Sequence, residues 1–473
     1  MTKQPAMICL LSFKRSLLFL LLAGTLFSCG KSSFLDKKPN SDLVIPSTLA
    51  DFQALLDNTG VMNVTPALGE LSADNLYLDY SFWLPLDAKE HNAYIWAPDI
   101  FNGQGNVDDW DLPYEQVFYA NVVLEGLPKV MVDSSNQQDW NALKGAALFM
   151  RAYAFYNVAQ IFAPAYDSMS AATDLGIPLR LTPDINPVSV RSTVKDTYAQ
   201  IEKDLDEAEN LLPVIPPSAN RNRPSKPAAL AMLARMYLSM RAYGRAGSCA
   251  DSCLELYRSL IDYNSLSTTS VVPFTRLNDE TLYQSIFFPT STQVLRAIFY
   301  PSVVVDSMLY GSYAANDLRC QLFYKKNDAG YININGSYGG SIYPFSGLAT
   351  DEVYLIRAEC RARAGDKDGA LTALNTLLQT RWVAGTYINF TAVTPMEALD
   401  TILLERRKEL AFRGLRWTDL RRLNKDAGRT TTLTRILNGQ TYSLAPNSLL
   451  YVLPIPPDVI AFTGMPQNPR PQQ

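Results

Sequence analysis

At 473 residues, the chain is long enough for one large domain or two to three modest ones. Its 47% apolar content fits a globular protein, and 42 basic against 46 acidic side chains with no Lys/Arg block exclude a nucleic-acid face. A single histidine, His91, excludes clusters of several histidines and leaves any histidine-based chemistry to that one residue.

The N-terminus is read first. Lys14 and Arg15 precede an apolar run from Leu17 to Phe27, broken only by Gly24 and Thr25. This is the pattern of a secretory signal, and about 11 apolar residues fall short of the roughly 20 that cross a bilayer core. Cys29 at the cut predicts a lipid anchor, with residues 1–28 as a lipoprotein signal peptide and 29–45 as the tether. Phe27 departs from the small residue that such signals more often carry two before the cysteine. Removing residues 1–28 leaves 39 basic against 46 acidic residues, a mildly acidic body. Cys249, Cys253, Cys320 and Cys360 are too few for a disulfide scaffold. Cys249 and Cys253, one helical turn apart, read as small buried residues rather than a bridge.

Residues 46–261 form an N-terminal part, with aromatic loops over 60–115 and helices over 138–258. The loops hold His91 in a polar stretch, Lys89–Asn92, where a solvated side chain is the simpler reading than a general base. Asp108, Asp109 and Asp111 surround Trp110 and suggest a structural calcium ion or a pair of sugar-flanking carboxylates. Acids at a helix start are favoured by the macrodipole alone, and Trp110, Tyr114 and Phe118 form a helical packing stripe, so capping is the preferred reading. Residues 138–161 place Leu143, Ala147, Met150, Ala154 and Val158 on one stripe. Residues 192–212 open on Ser192 or Thr193 as a cap and stop at Pro213. Helices over 225–240 and 242–258 carry Ala234, Ala246 and Cys253, spaced by 12 and 7. Ala358, Ala370 and Leu377 repeat that spacing in 351–364 and 367–380, with Gly365-Asp366 at the turn. Small residues at such intervals let antiparallel helices approach closely, as in a tetratricopeptide pair.

Residues 262–348 are rich in Ser, Thr, Tyr, Gly and Asn, with β-branched clusters at Val303–Val305 and Tyr331–Ile334. They read as an irregular, ligand-facing insertion with short strands. Residues 349–473 add further helix pairs, a helix over 395–412, a helix around Trp417–Leu423 and a proline-rich tail expected to run extended. The charged band Glu405–Glu409, with Arg413, Arg416, Asp419 and Arg421, is expected to form internal ion pairs. No Gly-x-Ser-x-Gly elbow and no Walker-type phosphate loop occurs.

Taken together, these pieces resemble the SusD/RagB family of nutrient-uptake outer-membrane lipoproteins. The resemblance is carried by Cys29 with Phe34-Leu-Asp-x-x-Pro39, Ala146–Tyr156, Ala228–Leu238, Val353–Glu359 with Ala364-Gly-Asp366, Glu405–Leu410, Gly414–Arg421, Leu453–Pro456 and Gln467-Asn-Pro469. It implies a mostly α fold: a tetratricopeptide-like body of about four helix pairs with loop-rich insertions and a few short strands. It also implies a surface-exposed, lipid-anchored place on the outer membrane, a SusC-like TonB-dependent transporter as partner, no catalysis and no cofactor. The cargo it implies is an oligosaccharide, or a peptide in the RagB branch. A helical-repeat scaffold for protein contacts and a hydrolase are the competing readings.

Sugars offer apolar C–H faces to aromatic rings, so non-helical aromatics are the candidate ligand residues. Tyr80, Trp83 and Trp96 stand in the first loop segment, and Tyr283, Tyr338 and Tyr343 in the second. Trp83 and Trp96 offer the widest stacking faces.

Overall fold

The structure is a computed structural model that describes residues 46–215, 220–288, 293–296 and 301–471. Cys29, the signal peptide and the tether lie outside the described residues. The described residues from Ser47 onward make one compact unit.

The body is a succession of helices, each packed on the next. We label the long ones α1 (Leu49–Leu56), α2 (Asp108–Gly126), α3 (Gln137–Phe162), α4 (Val194–Leu211), α5 (Lys226–Ser239) and α6 (Tyr243–Leu256). They continue with α7 (Thr350–Arg363), α8 (Lys367–Leu378), α9 (Pro395–Glu409), α10 (Arg416–Leu423) and α11 (Pro457–Thr463). Packing runs α2 on α3, α3 on α4, α4 on α5 and α5 on α6, then α6 on α7, and α7 on both α8 and α9. The mostly helical, repeat-like body expected from the sequence is therefore present. Thr193 caps α4 by accepting from the Asp196 amide.

The small residues do what their spacing predicts. Ala234, Ala246, Cys253, Ala358, Ala370 and Leu377 are all fully buried at the helix contacts. At the α6–α7 crossing, a Cβ added to Gly247 would come within 3.1 Å of the Cys360 Cβ. The α7–α8 turn passes through Gly365 at φ +86°, a conformation open to glycine without a side-chain clash. All four described cysteines are free thiols; Cys253 is buried as its reading expects, Cys249 only partly, and the Cys253 thiol donates to the Pro227 carbonyl.

Strands are short and come in pairs. β1 (Leu76–Leu78) runs antiparallel to β2 (Val303–Val305), with Tyr77 opposite Val304. β3 (Tyr324–Lys326) runs antiparallel to β4 (Ile332–Ile334), and the Asn333 side chain donates to the Val303 carbonyl to tie β4 to β2. β5 (Leu433–Leu437) and β6 (Gln440–Leu444) form a hairpin around Asn438-Gly439, both at positive φ as a two-residue primed turn requires.

Two expectations are corrected. The tail is not wholly extended, because Pro457 occupies the first turn of α11, where its missing N–H costs nothing. His91 is not in a loop: it sits in the short helix Ala88–Tyr94, half-buried, with its ring stacked on Trp83 at 3.8 Å.

Candidate functional site

The charged band is internal, as its helical spacing predicts: Lys408 pairs with Glu405 on the same helix at 2.7 Å, while its other partners come from other elements. Arg319, fully buried, pairs with Asp317, Glu405 and Glu409 at 2.6, 2.5 and 2.9 Å. Glu409 also accepts from Arg381, which reaches on to Glu280. Arg413 pairs with Asp351, Arg416 with Asp74, and Arg406 with Asp419. This network fastens the 262–348 insertion and the first loop segment to α7, α9 and α10. Arg421 alone of the band finds no carboxylate among the described residues.

Most of the aromatic candidates turn inward, which corrects their assignment as stacking faces. Trp83 and Trp96 are each 4% exposed, and their indole N–H groups donate to the His91 and Ser72 carbonyls. Tyr283 packs on Phe149 and Tyr153 and donates to the Met62 carbonyl. Tyr338 donates to Glu280 at 2.5 Å and lies under the Arg413 guanidinium. In each case the large ring buries apolar area while its one polar tip finds a partner, so the loops are anchored by their aromatics. Tyr343 is half-buried and Tyr80 is exposed, with its ring 5.8 Å from Trp83.

In the aspartate cluster around Trp110, Asp109 is structural. Asp109 is buried and accepts from the Ala67 and Leu68 amides at 2.6 and 2.8 Å, so it caps the neighbouring turn Leu68–Ser72 rather than its own helix. Among the described residues, no group of three His, Cys, Asp or Glu side chains is placed to hold a metal ion.

Two further exposed rings sit at the β1–β2 and β3–β4 pairs. Alternation along β1 turns Leu76 and Leu78 into the core and Tyr77 outward, 41% exposed. Tyr331, 49% exposed, precedes β4 on the neighbouring pair. The strand pairs at which they sit adjoin, and the Tyr77 pKa is raised, first by partial burial and then by the charge of Tyr331. Met308, largely exposed, follows β2. Polar groups flank the rings. Asp306 accepts from the Leu309 amide and the Arg407 guanidinium, and Asn327 donates to Asn333. Such a surface can stack a planar apolar face and hydrogen-bond hydroxyls around it. It holds no nucleophile–base pair. Tyr77 belongs to the aromatic-rich first segment and its strand alternation marks it as outward, whereas Tyr331, just before β4, carries no such signal.

Two family models match this chain in succession. Residues 33–238 match one described as starch-binding, associating with outer membrane, and residues 267–469 match one described as the SusD family. The chain belongs to the SusD family. A curated relative, the SusD-like protein P38 of Formosa agariphila, is 23% identical over 392 residues, covering 67% of this chain and 72% of its own. A SusD superfamily protein of Bacteroides thetaiotaomicron superposes with a TM-score of 0.71 at 20% identity, over 89% of this chain and all of the other. A laminarin-binding SusD-like protein superposes with a TM-score of 0.64 at 19% identity, over 89% of this chain and 98% of the other. These structural likenesses establish the SusD fold. Among the described residues, no helix is long and apolar enough to cross a membrane.

Proposed function

We propose that this SusD-family chain is a non-catalytic surface lipoprotein that captures oligosaccharide on the Tyr77–Tyr331 surface and passes it to a SusC-like TonB-dependent transporter. Attachment through a lipid on Cys29 would hold it at the outer membrane. The observation that carries the reading is the pair of exposed tyrosines, one on β1 and one at the start of β4, in a fold whose family model is described as starch-binding. The laminarin-binding relative with the same fold supports a glycan as cargo. No cofactor is required for capture, and grip on a sugar needs only ring faces and hydrogen-bonding side chains.

Calorimetric titration with laminarin and malto-oligosaccharides, beside a set of short peptides, tests the cargo class. A glycan is expected to bind, and Tyr77→Ala and Tyr331→Ala are each expected to weaken it by about 1–3 kcal/mol with little change in melting temperature. Unchanged affinity in both variants would sink the placement, and binding of peptides alone would move the cargo to the RagB type. Incubation with the bound glycan should leave it intact.

A further inference from the structure

Trp110, Tyr114, Val117, Phe118 and Asn121 recur along α2 at steps of three and four, so they share one face of the helix. The segment Pro178–Val190 runs over that face and is tied to it by side chains. Tyr114 donates to the Pro178 carbonyl at 2.9 Å, and Asn121 donates to the carbonyls of Arg180 and Thr182 at 2.9 and 3.2 Å. Arg180 then closes the segment on itself, donating to the Asp184 and Pro187 carbonyls and to the Ser189 hydroxyl. Pro183 and Pro187 restrict the same stretch of backbone, so the segment is a built wall.

Between this wall, α2 and α11 lies a cavity of about 370 Å³, at the lower end of the range that holds small-molecule ligands. Tyr114, Phe118, Ile185, Val459 and Met465 line it. Its polar side chains are largely spent on the protein. Besides the bonds above, the Asn121 oxygen accepts from Arg151, and the Thr463 hydroxyl donates to the Val459 carbonyl. The apolar lining continues outward: Phe118 is 39% exposed and Ile185 78%. Leu181, Val188 and Phe462, each next in sequence to a lining residue, are exposed as well. Apolar surface left open to water on this scale marks a place of contact.

Charge narrows the ligand. Arg180 is the one charged side chain on the wall, and no acid lines the cavity. Three of its five N–H groups go to uncharged oxygens, and it forms no ion pair among the described residues. The Asp184 carboxylate accepts from the Asn186 amide and side chain instead. An aliphatic cavity with one unpaired cation on its wall suits a ligand that is apolar along its length and negative at one end.

We propose that this cavity is a second ligand site, separate from the tyrosine surface, that takes a free medium-chain fatty acid. The alkyl chain packs against Tyr114, Phe118, Ile185, Val459 and Met465, and the carboxylate faces the Arg180 charge. The site shares no residue with the Tyr77–Tyr331 surface, so it stands or falls apart from the capture reading.

Calorimetric titration of the full chain with sodium decanoate below its micellar concentration decides the matter, beside sodium hexanoate, decanol and phosphatidylethanolamine vesicles. Decanoate is expected to saturate a single site and raise the melting temperature. Affinity should rise about fourfold per methylene from hexanoate to decanoate, as burial of each group requires, and decanol should bind about tenfold more weakly for want of the charge. Phe118→Asn and Ile185→Asn change exposed side chains, so each should keep its melting temperature while decanoate affinity falls about tenfold. Absence of saturable decanoate binding to the unaltered chain overturns the proposal, and so does unchanged affinity in both variants. Decanol binding as tightly as decanoate overturns the acid assignment. Vesicle binding without decanoate binding gives this face to a bilayer and overturns the cavity as a site.

Discussion

Arg319 shows how single residues hold the insertion on its frame. It is fully buried and serves three carboxylates, two of them on α9. Removing it strands Asp317, Glu405 and Glu409 in a low-dielectric interior, where an unpaired charge is costly. Arg319→Leu is expected to lose about 3–5 kcal/mol in urea unfolding. A loss below 1 kcal/mol would show that Lys408 and Arg381 carry those carboxylates alone. The sequence announced the charge band but not its partners, because helical spacing reports only neighbours on the same helix, and these come from residues roughly ninety positions away. The same limit explains Trp83 and Trp96. Ring size predicts that tryptophan seeks contact, and only the packed loops decide that the contact is Ser72, His91 and Arg435 rather than a ligand.

The helices were the most legible elements. The spacings of 12 and 7 between small residues located α5–α6 and α7–α8, because close antiparallel approach permits little else at the contact. Gly247 tests that reasoning at a position the spacing did not single out. Gly247→Leu would drive a side chain into Cys360 on α7, and about 1–3 kcal/mol of stability should be lost. Binding at the tyrosine surface should persist in the folded protein. An unchanged urea midpoint would mean that α6 and α7 can part without cost. The β5–β6 hairpin was not among the expected elements, although Asn438-Gly439 is a strong two-residue turn signal. Weight on the prolines of the tail hid α11, where Pro457 starts a helix instead of preventing one.

At the scale of the molecule, buried carboxyls set opposing pH limits on stability. Glu70, buried between Asn75 and the Gly414 amide, has its pKa raised to about 7, chiefly by loss of water. The unfolded chain therefore gives up this proton first, and stability falls as pH rises from about 4.5 toward 7. Asp74 moves the other way: burial opposes its charge, but the Arg416 and Arg407 guanidinium groups outweigh that and lower its pKa to about 2. Its contribution is present above about 4 and is lost as pH falls toward 2. A stability maximum near pH 5 is expected from urea midpoints taken between pH 3 and 8, and Glu70→Gln should flatten the upper limb. A midpoint that climbs steadily to pH 8 would contradict the burial of Glu70. The sequence by itself determined the helical frame and the family, because apolar period, small-residue spacing and an ordered set of short motifs are local properties of the chain. Which tyrosines face water, which arginines find acids and which one is left beside a cavity were decided only by tertiary structure. Exposure and ion pairing depend on what distant segments bring to the same place, and no local pattern encodes that.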